Sequence, residues 1–375
     1  MEISRYISDN HALLLQTLRE LCAIPAPSHH EEARAAYCRD WLERVGAKGV
    51  YIDEVCNVIY PLCCEGSEEI VVLAAHTDTV FPDTEPLPYE EDDEVIRCPG
   101  VCDDTAAVAI LLLTVKFFLE QQIVPKKGLL FVLNSGEEGL GDLKGVRRLF
   151  KDYEGRIASF ITFDGTLCYL NDDCAGSHRY KVTVRTQGGH SFQDFGRPNA
   201  IVKLAEIIGE LEKFEMPTKA GTRTTRNIGT IEGGTSVNTI AQNASMVCEY
   251  RSTHRECLTY MKEQFERVFA EARQDGVEVE VTMVGNRPCS HIDAAKQNAF
   301  RDRLLPMLKE IVGGEIVVKS ASTDCNIPLS LGIPALCVGA YEGDGMHTRE
   351  EWLDKSSMPV GLEVAIKVAL NLMEG

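Results

Sequence analysis

Three short stretches each close an apolar run with side chains able to hold a metal ion: Ala74-Ala75-His76-Thr77-Asp78-Thr79, Gly100-Val101-Cys102-Asp103-Asp104 and Asn134-Ser135-Gly136-Glu137-Glu138-Gly139. A single histidine or acidic pair carries little weight. One histidine and five carboxylates placed this way are hard to account for as a solvated surface. Two nearby divalent cations need several carboxylates to offset their charge, with a histidine or two for borderline metals such as zinc, cobalt or manganese. A bridging carboxylate would set them about 3.5–4 Å apart, where they can activate a water for hydrolysis.

Each residue has a place in that chemistry. His76 is a natural first ligand. Asp78, two positions on, points the same way along an extended segment; it can ligate, or accept the ring N–H of His76 and fix its tautomer. Asp103, entering at a helix start, is the natural bridge. Glu137 and Glu138 are adjacent and point apart, so one can ligate while the other works as a general base. Asp164, in Phe163-Asp164-Gly165-Thr166, ends another apolar strand and is a plausible terminal ligand. A symmetric two-metal site needs a second histidine, and His347, in the glycine-rich Gly343-Asp344-Gly345-Met346-His347, is the best-placed candidate. His190, after Gly188-Gly189, can donate to a substrate carbonyl oxygen or serve as a plain loop histidine.

These positions require strands that end together. Ile70 to Ala75, Gly128 to Leu133 and Phe160 to Phe163 are continuous apolar runs, as expected of strands buried on both faces. Thr105 to Leu119 reads as a buried helix with Asp103 or Asp104 as its N-cap. Residues 10–23 and 31–45 read as amphipathic helices, the second opened by a Ser28/Glu31 capping box, with His29 and His30 on its surface. Alternating buried strands and helices imply a mostly parallel α/β sheet, whose ligands bind beyond the carboxyl ends of the strands. From residue 177 the pattern changes. Strands at 180–186, 227–232, 244–251 and 277–284, with helices at 199–213 and 255–275, give βαββαβ, a small ferredoxin-like α+β sandwich. The chain then returns to the first domain through a helix at 293–312, a strand at 335–339 and a helix at 356–373. The expected domains are therefore 1–176 with 288–375, and an inserted 177–287.

The chain has 375 residues, enough for two domains, and a formal net charge of −19, which argues against nucleic acid and anionic membrane surfaces. No signal-peptide core opens it, and its densest apolar stretch, Ala106 to Val115, falls short of the roughly 20 residues a bilayer span needs. Fourteen cysteines without a CxxC pair fit a cytoplasmic protein whose thiols are mostly buried hydrophobes. A catalytic thiol at Cys102 lacks an accompanying Cys/His signature.

Taken together, these motifs resemble the M20 family of dinuclear metallopeptidases and deacylases, which includes tripeptidase T-like enzymes, glutamate carboxypeptidases, aminoacylases and acyl-amino-acid deacetylases. The resemblance covers nearly the whole chain. HTDTVFP resembles the family's HxD motif, CDDTAAVA its bridging-aspartate motif, SGEEGLG its Glu-Glu motif and GMHTREEWLD its C-terminal histidine motif. Thr105-Ala106-Ala107 departs from the Lys-Gly or Lys-Ala-Gly usual after the bridge, which touches the loop more than the ligand. The resemblance implies a metallo-exopeptidase domain carrying a lid that also serves dimerisation. His76, Asp103, Glu138, Asp164 and His347 would be the metal ligands, with Asp103 bridging. Glu137 would be the base, and Asp78 would orient His76. His190 would gain its oxyanion role, while Asn238, in GGTSVNTI, and Arg251, in EYR, would contact the substrate carboxylate. The implied function is hydrolysis of short peptides, with deacylation of N-acyl amino acids as the near alternative. A catalytically silent binding protein on the same fold would not need the complete set of seven core residues present here.

Overall fold

A computed structural model describes residues 3–374, which divide into two compact units, residues 3–174 with 291–374, and Ala175–Ser290. The first is built on an eight-stranded sheet in the order Tyr51–Ile52, Val58–Leu62, Gly128–Asn134, Ile70–His76, Ile157–Phe163, Ala335–Val338, Tyr169–Cys174, Val317–Ala321. The four central strands run parallel, from Gly128–Asn134 across to Ala335–Val338. Every residue of Ile70–His76 and of Gly128–Asn134 is buried, because helices cover both faces. Val71, Leu73 and Ala75 point into a core with the helices Ile3–Cys22, Glu32–Arg44, Ala107–Glu120 and Met358–Met373. Ile70, Val72 and Ala74 point the other way, into a core with Lys144–Asp152 and Asn326–Ser330. This is the period-2 alternation of a strand enclosed on both sides.

The sheet register positions the candidate site residues. His76 pairs with Asn134, and Phe163 with Val338. The segments that follow, bearing Asp78, Glu137, Glu138 and Asp164, therefore leave the sheet at one edge.

Several expectations need correction. The first helix begins at Ile3, not residue 10. The capping box does not form: Ser28 Oγ donates to Asp78 Oδ2 at 2.7 Å, and Glu31 instead accepts the His29 N–H at 3.0 Å and the Lys144 ammonium at 2.8 Å. Neither Asp103 nor Asp104 caps the buried helix, whose N-cap is Ala106 with no side-chain bond. It is preceded by a wide turn, Val101–Ala106, in which both aspartates leave helical φ/ψ. Strands Val58–Leu62 and Tyr169–Cys174 were not anticipated. Pro61 masks the first, yet lies beyond the two-residue pairing with Tyr51–Ile52; Asn171, Asp172 and Asp173 break the apolar run of the second.

The second unit is a four-stranded antiparallel sheet in the order Thr224–Gly233, Asn243–Ser252, Gly176–Thr186, Val277–Arg287. Helices Ala200–Lys213 and Arg255–Glu271 cover one face over a core holding Tyr180, Tyr250 and Phe265. Burial alternates along Asn243–Ser252, so the other face is wetter. This is the βαββαβ order read from the sequence. Among the described residues no helix is long and apolar enough to cross a membrane, and no disulfide joins any of the cysteines.

The helix Met358–Met373 packs backbone to backbone against the turn after the last parallel strand: a Cβ at Gly361 would stand 1.8 Å from the Ala340 carbonyl oxygen. Gly361→Ala is expected to destabilise the first unit by about 1–3 kcal/mol through overpacking, measurable as a lowered denaturant midpoint with unchanged slope.

Candidate metal centre

Asp103 is the centre of the site. Its Oδ1 lies 3.0 Å from His76 Nε2 and its Oδ2 lies 3.1 Å from His347 Nε2. One carboxylate thus faces two imidazoles from chain segments far apart, one oxygen to each. Around it are two groups of donor atoms, each within 4.8 Å of one another: His76, Asp103 and Asp164, and Asp103, Glu138 and His347. Each offers one nitrogen and two carboxylate oxygens, with Asp103 common to both, a donor set that suits two divalent cations sharing a bridge. His76 also groups with Glu137 and Glu138 at the same tolerance. Glu138 Oε1 stands 3.2 Å from His347 Nε2.

The electrostatics agree with a cation site. Asp103, Asp104, Glu138 and Asp164 crowd one another in a poorly solvated region. Burial and then the neighbouring charge of Asp103 raise Glu138 above the usual carboxylate range and push Asp164 up to about 7. Burial raises Asp104 well above that range, with Asp164 and Asp103 adding to it. Asp103 goes the other way: burial opposes its ionisation, but the bonds to His347 and His76 hold it below its ordinary value. His347, bonded to Asp103 and Glu138, rises to about 10. Burial pulls His76 down, yet its carboxylate partners outweigh that and raise it well above its ordinary value. Carboxylates held up by one another and imidazoles held up by carboxylates mark a place where cations lower the free energy.

The surrounding bonds hold the cluster in place. His76 Nδ1 donates to the main-chain carbonyl of Asp78 at 3.0 Å, which leaves Nε2 as the nitrogen able to ligate. The Asp78 carboxylate, 3.6 Å from that ring, spends its oxygens elsewhere. It accepts the Glu137 N–H at 2.9 Å, the Glu138 N–H at 3.0 Å and the Ser28 hydroxyl. Asp104 Oδ2 accepts the His76 main-chain N–H at 3.0 Å. Beneath lies Arg34, 3 % exposed, whose guanidinium donates to the Thr77 carbonyl at 2.9 Å and reaches Thr105 Oγ1 at 3.3 Å. Sequence reasoning missed Ser28 and Arg34, because the first looked like a helix cap and the second like one more charge on an amphipathic helix. Cys102 is no nucleophile: it is buried, its thiol donates to the Trp352 carbonyl, and burial raises it far above its ordinary value.

Among the remaining candidates, His190, Asn238 and Arg251 lie in the second unit. Gly189–His190 pairs with Thr239–Ile240, and the Ser191 N–H donates to the Asn238 carbonyl at 3.0 Å, so the histidine and asparagine segments are neighbours. His190 Nδ1 accepts the N–H groups of Phe192 and Gln193 at 3.3 and 3.4 Å, which leaves its Nε2 as the N–H donor. Arg251 is engaged by Glu249 through two bonds, at 2.6 and 3.1 Å.

Residues 72–371 match the model of peptidase family M20/M25/M40. The chain belongs to that family. It is 27% identical over 342 residues to a succinyl-diaminopimelate desuccinylase of Corynebacterium glutamicum, covering 89% of each chain. A tripeptidase from Staphylococcus aureus shares the fold with a TM-score of 0.72 at 21% identity, over 97% of this chain and 99% of that one. A dinuclear metal-binding M20 peptidase from Bacillus subtilis superposes with a TM-score of 0.65 at 17% identity, over 98% of this chain and 99% of that one.

The shifted groups set a pH dependence. Protonated His347 is favoured in the folded, metal-free chain, so its contribution to stability is complete below its ordinary value of 6.5 and is lost as pH rises through about 10. Asp164 acts in the same direction: its carboxyl is neutral when folded, so stability falls as pH rises from its ordinary 3.8 through about 7. Thermal melts of chelator-stripped protein should therefore fall in midpoint from pH 6 to pH 10. Metal binding near pH 7 should release protons, read by calorimetry in buffers of different ionisation enthalpy.

Proposed function

We propose that the protein is a two-metal hydrolase that cleaves the amide bond of a short peptide. The observation that carries this reading is the Asp103 carboxylate, placed to give one oxygen to each of two metal positions, His76 with Asp164 on one side and His347 with Glu138 on the other. Histidine and carboxylate donors suit zinc, with cobalt and manganese as alternatives. Held by His76, Asp103, Asp164, Glu138 and His347, two such cations would supply Lewis-acid polarisation of the scissile carbonyl and would acidify a water.

The chain's own residues do the rest. Glu137 takes the proton from the attacking water and returns it to the leaving amine. Asp78 keeps His76 in the tautomer that presents Nε2, through the main-chain carbonyl, and fixes the Glu137–Glu138 loop through its carboxylate. His190 Nε2–H, its tautomer set by the two N–H groups on Nδ1, donates to the oxyanion as the carbonyl becomes tetrahedral. Asn238 and Arg251 receive the substrate carboxylate, Arg251 leaving Glu249 to do so.

A second reading, deacylation of N-acyl amino acids, is favoured by the similarity to a desuccinylase. Parallel turnover of di- and tripeptides and of N-acetyl and N-succinyl amino acids decides between them. The edge strand Thr224–Gly233, paired on one side only and with Ile231 56% exposed, supports a homodimer through this unit. The many thiols without disulfides support a reducing, cytoplasmic setting.

Two substitutions separate the glutamates. Glu137→Gln should keep both ions while kcat falls by about 10²-fold or more; Glu138→Gln should lose metal. Elemental analysis beside steady-state kinetics reads both, and the opposite pattern would exchange the two roles. His190→Ala should lower kcat by roughly 10²–10³-fold with little change in KM and none in metal content. Near wild-type kcat in that variant would leave His190 a loop residue.

A further inference from the structure

The segment that brings His347 also brings a carboxylate that reaches no ligand atom. Glu351, four residues on, has no exposed surface. Its Oε2 accepts the Gly100 N–H at 2.6 Å, and its Oε1 accepts those of Cys102 at 2.8 Å and Asp103 at 3.0 Å. The same segment is fastened at two more points: the Cys98 N–H donates to the Glu351 carbonyl, and the Cys102 thiol to the Trp352 carbonyl.

The loop needs such an acceptor. It enters the wide turn through Gly100 at φ 78°, and Asp103 and Asp104 depart from helical geometry. The N–H groups ahead of the helix therefore have no preceding helical turn to bond to, and buried N–H groups must find partners. A buried carboxylate, in turn, is tolerated when its oxygens are filled with donors. Three N–H groups on one side chain satisfy both requirements. With its N–H anchored on Glu351, Asp103 directs its carboxylate to His76 and His347.

We propose that Glu351 is a positioning residue of the metal centre. It fixes the orientation of the bridging Asp103 carboxylate through the backbone of residues 100–103, and it ties that orientation to His347 through the short segment that carries both. The proposal rests on reading Asp103 as the ligand shared by two ions. Glu351 acts on both ions at once, since displacement of a bridge weakens each.

The test uses metal-stripped full-length chain titrated with Co(II), with wild type, Glu351→Gln, Glu351→Asp and Asp103→Asn side by side. Calorimetry gives the number and affinity of ions, the visible Co(II) spectrum reports ligand geometry, and thermal melts report folding. Wild type should take two ions. Glu351→Gln sets an amide NH2 against at least one main-chain N–H, and should lose about 10–100-fold in affinity with an altered Co(II) spectrum. A folded Glu351→Gln chain with wild-type affinity and spectrum, changed only in melting temperature, overturns the proposal and leaves Glu351 a structural residue. If Glu351→Gln does not fold, Glu351→Asp decides. It keeps the charge but is one methylene too short to hold all three donors, and wild-type affinity and spectrum there overturn the proposal equally. The reading of Asp103 fails separately, if wild type binds one ion or Asp103→Asn still binds two tightly.

Discussion

One carboxylate shared between two imidazoles is the constraint to which the rest of this structure answers. Asp103 cannot face His76 and His347 together unless the strand ending at His76, the turn before the buried helix and the loop carrying His347 converge within a few ångströms. Crowding Asp104, Glu138 and Asp164 into the same region is unfavourable where water is scarce. The protein sustains it by distributing opposite charge and hydrogen-bond donors around the cluster, and the proposed pair of divalent cations would complete that compensation.

The acidic residues divide their labour in a consistent way. Three of the segments that meet at the site carry a carboxylate that grips the backbone of a neighbouring segment. Beside His76, Asp78 holds the N–H groups of Glu137 and Glu138. Beside Asp103, Asp104 holds the N–H of His76. Beyond His347, Glu351 holds the N–H of Asp103. The segments are fastened to one another by hydrogen bonds from main-chain N–H groups to buried side-chain oxygens, which fix position more firmly than contacts between flexible side chains. Arg34 adds a cation below, bridging the Thr77 and Thr105 segments.

The parts legible in the sequence were those in which one local pattern has one structural meaning. Unbroken apolar runs at Ile70 and Gly128 read as doubly covered strands, and alternation from Tyr180 to Thr186 as a strand with one wet face. The ligand types at the strand ends followed from chemistry, and the family resemblance arranged them. What escaped was whatever depends on partners distant in sequence. Ser28 and Glu31 have the spacing of a capping box, yet the Asp78 carboxylate competes for the serine hydroxyl and Lys144 for the glutamate. Asp103 and Asp104 stand where an N-cap is expected, but His347 and the His76 backbone claim their oxygens. Tyr169–Cys174 is a strand despite its polar middle, because it lies between Ala335–Val338 and Val317–Ala321.

The discontinuity of the first unit has a consequence for how the protein comes into being. His76, Asp103, Glu138 and Asp164 are translated early, whereas His347 emerges only after the whole of Ala175–Ser290 has been made. Through that interval the nascent chain carries a concentrated set of acidic side chains without its last imidazole. Closing a loop of 244 residues between Asp103 and His347 adds a late, entropically costly step. Assembly of the cluster is thus tied to translation of the last part of the first unit, and products truncated before His347 cannot bring an imidazole to the second oxygen of Asp103.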